Sequence, residues 1–251
     1  MISILICLAA AAAGPEAPAF DHTHAELNTV LAEYVKHGLV DYAGLKEGRA
    51  PLDAYLSDSG AVPLATFQTW SKDEQLAFLI NIYNASTLRL IIDHYPIKSI
   101  KAIGSVFKGP WAQDAVLLFG KKITLDTLEH RIIRKNYSEP RIHFALVCAA
   151  MGCPLLRSEA FVGAKLDTQL ECQADNFLGD ADKNRVDIEH EKLYLSPIFK
   201  WYRDDFEAAS GSLVAFVAPY LSPNADLDMA AKYDVEFTDY DWSLNGQDRD
   251  Q

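Results

Sequence analysis

The sequence predicts an α+β fold, a single domain whose central buried helix packs with a small, mainly antiparallel sheet that is built from hairpins and surrounded by helices. One segment, residues 71–95, has the length of a long helix and is apolar almost all round. Short strand-like segments come in pairs joined by turns, and helical segments come in blocks. Because strands and helices do not alternate regularly, the sequence favours α+β over a doubly wound parallel sheet.

The first elements follow residue 20. Residues 23–26 (THAE) have the pattern of a capping box. Apolar residues then recur at helical spacing over 27–35, and Gly38 supplies a stop. Residues 39–42 are predicted to be extended, and a short helix is predicted over 52–56.

The central helix has the clearest boundaries. Residues 71–74 (SKDE) form a second capping box, whose serine and glutamate satisfy free backbone N–H groups. The stretch from Leu76 to Ile92 is apolar almost all round, which predicts burial on every side. The helix should end near Asp93, because the residue that precedes Pro96 avoids the helical region.

Beyond Pro96 the pattern changes to short strands and helices. Residues 115–119 and 122–124 predict a hairpin that turns at Gly120. Asp126 is expected to cap a helix, and the apolar run from Ile142 to Cys148 predicts a buried strand. The remaining predictions are a helix over 166–178, a hairpin of 185–188 with 193–195, helices over 198–206 and 212–220, and a strand at 235–237.

Composition excludes several classes of protein. The chain has 251 residues, of which 49% are apolar, so it can bury a substantial core and is not disordered. Its net charge of −12 repels phosphate backbones, so no nucleic-acid partner is expected. The sequence contains no glycine-rich phosphate loop, no G-x-S-x-G elbow and no H-E-x-x-H motif.

The first 19 residues predict a signal peptide. Residues 1–13 (MISILICLAAAAA) are apolar and too short for the roughly 20-residue helix that spans a bilayer. Small residues then offer cleavage sites near 13 and 19. We therefore expect export to the periplasm or the medium, with residues 20–251 as a single domain and no stable membrane insertion after the signal is removed.

Several segments together resemble the domain-of-unknown-function family 547 (DUF547), in its bacterial exported branch. They are 74–78 (EQLAF), 81–85 (NIYNA), 95–100 (YPIKSI), 128–130 (LEH), 141–148 (RIHFALVC), 152–154 (GCP), 196–202 (SPIFKWY) and 240–245 (YDWSLN). The resemblance extends from Phe20 to Asn245. It implies one exported domain and brings no established reaction with it. Leu155 departs from the pattern, in which a second proline often stands at this position.

Removal of the signal peptide leaves Cys148, Cys153 and Cys172. A thiol at the end of a strand, close to the start of a following helix, can have a lowered pKa and act as a nucleophile. Cys148 and Cys153 are therefore candidate catalytic residues. Three alternatives remain open for this pair: a structural disulfide, inert burial, and a metal site that also uses histidines.

The candidate base is His130, with Glu129 as its orienting partner. His143 lies five residues before Cys148, so on a regular strand the two side chains point to opposite faces. Asn81 and Asn84 are candidates to orient the base or to stabilise an oxyanion. Equally, these histidines and asparagines can be hydrogen-bonded core residues.

Further candidates concern binding of the substrate. Arg141, Arg157 and His143 are predicted to contact it, and each arginine can hold a carboxylate bidentately. Either arginine can instead form a surface ion pair. The aromatic residues at 201–202 and 240–242 can line a ligand cleft, although core packing explains them as well.

These residues support two functions of different classes. The first is a thiol-dependent hydrolase or acyl transferase that acts on amide or peptide-like substrates and needs no cofactor and no metal. The alternative is a non-catalytic exported binding module with a structural Cys/His/Asn core. A dithiol redox protein is a weaker third hypothesis, because the four-residue gap between Cys148 and Cys153 differs from C-x-x-C.

Overall fold

One long helix at the centre of the molecule organises the fold. The computed structural model of the protein describes residues 20–105, 107–221 and 233–247. The predicted signal peptide, residues 1–19, lies outside these residues. The described part of the chain has the predicted α+β architecture, in which short strands pair at the edges of a mainly helical body.

The elements are numbered in chain order. The α-helices are α1 Ala25–Tyr34, α2 Tyr42–Glu47, α3 Ala50–Ala61, α4 Leu64–Phe67, α5 Lys72–His94, α6 Arg134–Asn136, α7 Leu166–Leu178, α8 Ile198–Trp201, α9 Arg203–Ser210 and α10 Leu213–Leu221. The strands are β1 Val35–Lys36, β2 Leu39–Val40, β3 Val116–Leu118, β4 Lys121–Ile123, β5 Arg185–Asp187, β6 Lys192–Leu195 and β7 Asp234–Phe237. A π-helix spans Thr127–Ile133, and short 3-10 helices span Ile100–Ala102, Pro110–Ala112, Pro140–Phe144 and Gly163–Lys165.

The central helix α5 begins and ends where the sequence predicts. The backbone N–H of Ser71 donates to the Glu74 carboxylate at 2.8 Å, and the N–H of Glu74 donates to the Ser71 hydroxyl at 3.2 Å. Within the described residues, α5 is the one helix long and apolar enough to cross a membrane. However, 94% of its most apolar window is buried inside the protein, which is the pattern of a core helix.

The strands form three small sheets. The pairs β1–β2, β3–β4 and β5–β6 are antiparallel, and the hairpins predicted around Gly120 and over 185–195 are confirmed. Strand β7 is also found, but it pairs with β6 in parallel. The strand pairing is therefore mainly antiparallel, as predicted, and β6–β7 is the one parallel pair among the named strands of the described residues.

Two apolar clusters make up the core. The larger one surrounds α5. The smaller one is centred on Phe144, whose ring centroid lies 5.1 Å from Phe177 and 5.7 Å from Phe206. Helix α7 contributes Leu170 to the larger cluster and Phe177 to the smaller one, so it joins the two into one domain.

The buried strand predicted over residues 142–148 is wrong. This segment begins in the 3-10 helix Pro140–Phe144 and then continues without a strand partner. The Asn84 side chain takes the place of the missing strand: its amide donates to the Ala145 carbonyl at 2.9 Å and accepts from the Val147 N–H at 2.9 Å. A continuous apolar run indicates that a segment is buried. It does not indicate which groups form hydrogen bonds with the buried backbone N–H and C=O groups.

Two predicted helix caps are also wrong. Helix α1 is found, but Asp21 rather than Thr23 accepts the N–H of Ala25, at 3.0 Å. Asp126 makes no side-chain cap. The hydroxyl of Thr124 accepts the N–H of Thr127 at 3.0 Å instead. In both cases a side-chain oxygen two residues before the predicted cap accepts a hydrogen bond from a backbone N–H at the start of the helix.

Candidate functional site

A small cavity of about 130 Å³ lies where the central helix, the π-helix and residues 238–247, the C-terminal segment, meet. Six of its thirteen lining residues are tyrosine or tryptophan, and the others include one carboxylate, one imidazole and two cysteine sulfurs. It is lined by Tyr83, Trp111, Glu129, His143, Leu146, Cys148, Cys153, Pro154, Ile198, Trp201, Tyr202, Tyr240 and Trp242. The aromatic residues at 201–202 and 240–242 therefore line a cleft, one of the two roles that the sequence allows.

The two candidate nucleophiles are joined to each other. Cys148 and Cys153 form a disulfide, so neither carries a free thiol in this structure. Cys148 is partly exposed and Cys153 is buried. Of the alternatives that the sequence leaves open for this pair, the structure contains the disulfide, and a nucleophilic role requires its prior reduction. Cys172 is free and exposed on α7.

Glu129 is held by tyrosines rather than by a histidine. It is buried on the π-helix and accepts hydrogen bonds from the Tyr83 hydroxyl at 3.0 Å and from the Tyr202 hydroxyl at 2.5 Å. Burial, together with the neighbouring Glu129 charge, raises the pKa of both tyrosines far above the usual value. Both hydroxyls therefore keep their protons and donate to the carboxylate.

His143 belongs to a chain of hydrogen-bonded polar groups in which the imidazole is buried and Asp205 and Arg134 are partly exposed. Its Nε2 lies 2.7 Å from Asp205 Oδ2, which also accepts from Arg134 Nε at 2.7 Å. The Tyr202 ring stacks on the imidazole at 3.8 Å. Burial lowers the pKa of His143, and this outweighs the opposing effect of Asp205.

The protonation of this chain follows from the two pKa shifts. Burial alone would raise the pKa of Asp205, but hydrogen bonds from His143 and Arg134 outweigh it and hold the pKa well below its usual range. A neutral His143 therefore donates from Nε2 to the Asp205 carboxylate. Its Nδ1 is then left as an acceptor or base.

His130, the predicted base, lies apart from the cavity. Its side chain is 38% exposed, and its Nδ1 is 2.9 Å from Arg134 Nη1. The structure thus places His143 and not His130 in the wall of the cavity that the two cysteines also line. The parity argument against His143 assumed a strand from 142 to 148, and this strand does not exist.

Asn81 and Asn84 have the second of the two roles that the sequence allows, that of hydrogen-bonded core residues. The Asn81 amide donates to the Phe161 carbonyl at 2.7 Å and accepts from the Phe161 N–H at 2.9 Å. Asn84 makes the corresponding pair of bonds to residues 145 and 147. Both side chains hold irregular backbone against α5, and neither lines the cavity.

The two arginines predicted to bind substrate are paired within the protein. Arg141 contacts Glu139, Asp167 and Glu171 at 2.7–2.9 Å, beside a more open depression of about 370 Å³. Arg157 pairs with Glu159. Neither arginine lines the cavity. Both guanidinium groups are already bound to carboxylates of the protein.

Sequence reasoning missed Tyr83 and Asp205. Tyr83 is within an apolar helix and has the pattern of a core residue, while Asp205 is one of several acidic residues in α9. No local signal distinguishes either one. Among the described residues, no group of three or more histidine, cysteine or acidic side chains is placed to hold a metal ion.

Fold and site together define an α+β domain with a small aromatic cavity, one wall of which contains a disulfide. Residues 67–178 match a family model described as "Protein of unknown function, DUF547". No curated protein and no solved structure matches the chain. The matched stretch carries Glu129, His143 and both cysteines of the disulfide, whereas Asp205 and Tyr240 lie outside it.

Proposed function

We propose that this protein is a non-catalytic binding module and that its cavity binds a small neutral ligand of the carbohydrate class. The observation that carries this proposal is the combination of an exposed indole at the cavity with a buried, hydrogen-bonded carboxylate. Ligand sites typically have mostly apolar walls and a few fixed polar groups, which is the composition of this cavity.

The aromatic wall suits the apolar face of a sugar ring. Trp201 is 47% exposed, although it is a large apolar residue. Its ring lies 5.8 Å from Trp242 at an interplanar angle of 30°, and 4.8 Å from Tyr240. Flat, partly exposed rings of this kind gain free energy when a C–H face packs against them.

The polar groups suit the hydroxyls of such a ligand. The Glu129 side chain accepts hydrogen bonds and is already oriented by two tyrosine hydroxyls. The Nδ1 of neutral His143 can accept a hydrogen bond from a further hydroxyl. A cavity of about 130 Å³ is large enough for one ring and not for a folded peptide. The net charge of −12 disfavours anionic ligands.

Replacement of Trp201 by alanine tests the proposal. Tryptophan fluorescence should change on titration with neutral mono- and disaccharides, and W201A should weaken binding by about tenfold, or about 1.4 kcal/mol. Leu64→Ala is a matched control, because Leu64 is also about half exposed, at 48%, but lies on α4. Saturable binding of short peptides without any binding of saccharides would refute the assignment of the ligand, and so would equal affinities of W201A and the wild type.

A second function, the thiol-dependent hydrolase or acyl transferase predicted from the sequence, has one specific observation in its favour. Cys148 and His143 line the same cavity, and His143 is hydrogen-bonded to Asp205. After reduction of the disulfide, Cys148 would attack an amide carbonyl and His143 would accept the thiol proton. The proton would pass to the amine as the C–N bond breaks, and water or another acceptor would then take the acyl group from the sulfur. Asp205 orients the base in such an arrangement.

This second function predicts how fast the reduced protein is alkylated. Iodoacetamide should modify Cys148 rapidly at neutral pH, and His143→Ala should slow the reaction by about tenfold or more, since an imidazole base contributes about 10²-fold in catalysis. His130→Ala is the control and should leave the rate unchanged. If H130A slows alkylation and H143A does not, His143 is not the base. If both variants react as the wild type does, the hydrolase hypothesis fails.

We also propose that the protein is exported, by a signal peptide within residues 1–19. The apolar N-terminal run supports this, and so does the Cys148–Cys153 disulfide, because disulfides persist mainly in oxidising compartments. Fractionation of expressing bacterial cells should recover the protein outside the cytoplasm, beginning near residue 14 or 20. Recovery of the full chain from the cytoplasm, with both cysteines reduced, would contradict the proposal.

A further inference from the structure

We propose that the Cys148–Cys153 disulfide is a site of thiol–disulfide exchange, in which a dithiol reductant attacks the Cys148 sulfur and the Cys153 sulfur leaves. The inference concerns the chemistry of the disulfide itself. It is independent of which ligand the cavity binds.

The two sulfurs differ in access. Both cysteines line the cavity, but Cys148 is partly exposed, whereas Cys153 is only 3% exposed and belongs to the larger core cluster. Exchange requires a thiolate to approach one sulfur of the disulfide. The difference in exposure therefore makes Cys148 the sulfur that is attacked.

The buried sulfur has the donors that a leaving thiolate needs. The backbone N–H of Cys148 donates to Cys153 Sγ at 3.0 Å, and the Tyr240 hydroxyl donates to the same sulfur at 3.1 Å. Burial raises the pKa of Tyr240 well above its usual value, so the hydroxyl keeps its proton. Two donors stabilise a thiolate, and a more stable leaving thiolate speeds exchange.

The exchange balances with one dithiol molecule as reductant. Its first thiolate forms a bond to Cys148 Sγ, and the Cys148–Cys153 bond breaks with its electron pair on Cys153. The second thiol of the reductant then attacks its own first sulfur and releases Cys148 as a thiolate. The reductant ends as a disulfide, the two cysteines end reduced, and the two protons of the dithiol pass to them.

Reduction of the disulfide would affect the cavity, because the loop between the two cysteines is hydrogen-bonded to a segment that lines it. Residues 149–152 are hydrogen-bonded to the C-terminal segment through three backbone contacts: Asn245 N to Ala149 O at 3.1 Å, Met151 N to Ser243 O at 2.9 Å, and Gly152 N to Asp241 O at 2.8 Å. That segment carries Tyr240 and Trp242, which line the cavity. Ala149 has a φ of 61°, a left-handed conformation that disfavours an alanine. Reduction removes the covalent link that holds this loop closed beside the cavity.

The test is the rate at which dithiothreitol reduces the folded protein. Tyr240→Phe removes only the hydroxyl, which donates to Cys153 Sγ at 3.1 Å and lies 3.3 Å from Cys148 Sγ, so reduction should slow by about fivefold. Tyr137→Phe is the matched control, because Tyr137 is a partly buried tyrosine whose hydroxyl donates to Gln75. Y137F should be reduced as fast as the wild type. Equal rates for Y240F and the wild type, or reduction that requires denaturant, would overturn the proposal.

A second measurement needs no variant. The unmodified chain is treated with glutathione, a monothiol, and acid-quenched, so that the mixed disulfide is trapped. Fragmentation of the peptide that contains both cysteines should locate the glutathione on Cys148. Glutathione found mainly on Cys153 would reverse the assignment of the two sulfurs and refute the proposal.

Discussion

Replacement of Asn84 by alanine should lower the free energy of unfolding by about 2 to 6 kcal/mol. The Asn84 amide pairs with the carbonyl of Ala145 and the N–H of Val147, both of which are buried. Alanine leaves these two backbone groups without that partner, and each buried unsatisfied group costs about 1 to 3 kcal/mol. Urea denaturation followed by circular dichroism measures the change.

Two further variants make this prediction sharper. Asn84→Asp keeps the acceptor for the Val147 N–H but places a buried carboxylate oxygen against the Ala145 carbonyl, so at neutral pH it should lose at least as much stability as N84A. Asn136→Ala is the control: Asn136 is exposed and donates to the Ile132 carbonyl, so the change should cost less than about 1 kcal/mol. An N84A protein as stable as the wild type would show that Asn84 does not hold the backbone, and would return the residue to the list of catalytic candidates.

The second large effect is a loss of stability in acid that depends on His24. The His24 ring is buried beside Phe20 and Phe78, with the Tyr55 hydroxyl 2.8 Å from Nδ1. Burial lowers the pKa of His24 from 6.5 to about 4; the positive charge of His22 acts in the same direction and Asp21 acts against it. The unfolded chain therefore binds a proton at a higher pH than the folded protein does.

The sign of the effect follows from linkage. Above pH 6.5 His24 is neutral in both states and its contribution to stability is complete. As the pH falls from 6.5 to about 4 the unfolded state is protonated first, so stability falls, by about 3 kcal/mol over this range. His143, whose pKa is also lowered by burial, adds a loss of the same sign.

A non-titrating variant separates His24 from the other groups. His24 has a φ of 51°, a conformation that asparagine tolerates, so His24→Asn removes the titration without opposing the backbone. Urea denaturation at pH 7 and pH 4.5 should show a smaller loss in H24N than in the wild type. His37→Asn is the control, because His37 has the same φ of 51° but is exposed. A loss in H24N as large as in the wild type would exclude His24 as its source.

Much of the fold is predictable because its signals are local. Residues 71–74 carry the cap of α5 in four consecutive positions, and the predicted helix over 166–178 coincides with α7. The turn at Gly120 is likewise encoded where it occurs. The 142–148 segment failed because its backbone is satisfied by Asn84, which lies about 60 residues away in the sequence.

The candidate site was predictable only in part. The sequence singles out Cys148, Cys153, His143 and Glu129, and all four line one cavity. It assigns the base to His130, because the incorrect strand placed His143 on the wrong face. It gives no signal for Asp205, since an acidic residue in an exposed helix is common and only its 2.7 Å contact with His143 distinguishes it.

The amino-acid sequence by itself determined the α+β class, the position of the central helix, and the segments that carry sulfur, imidazole and aromatic rings. Periodicity, caps and turns act over a few residues and can therefore be recognised without coordinates. Only the tertiary structure decided that the two cysteines pair, that tyrosines hold Glu129, and that His143 meets Asp205. These contacts join residues from 5 to 73 positions apart, and their formation depends on how the helices pack.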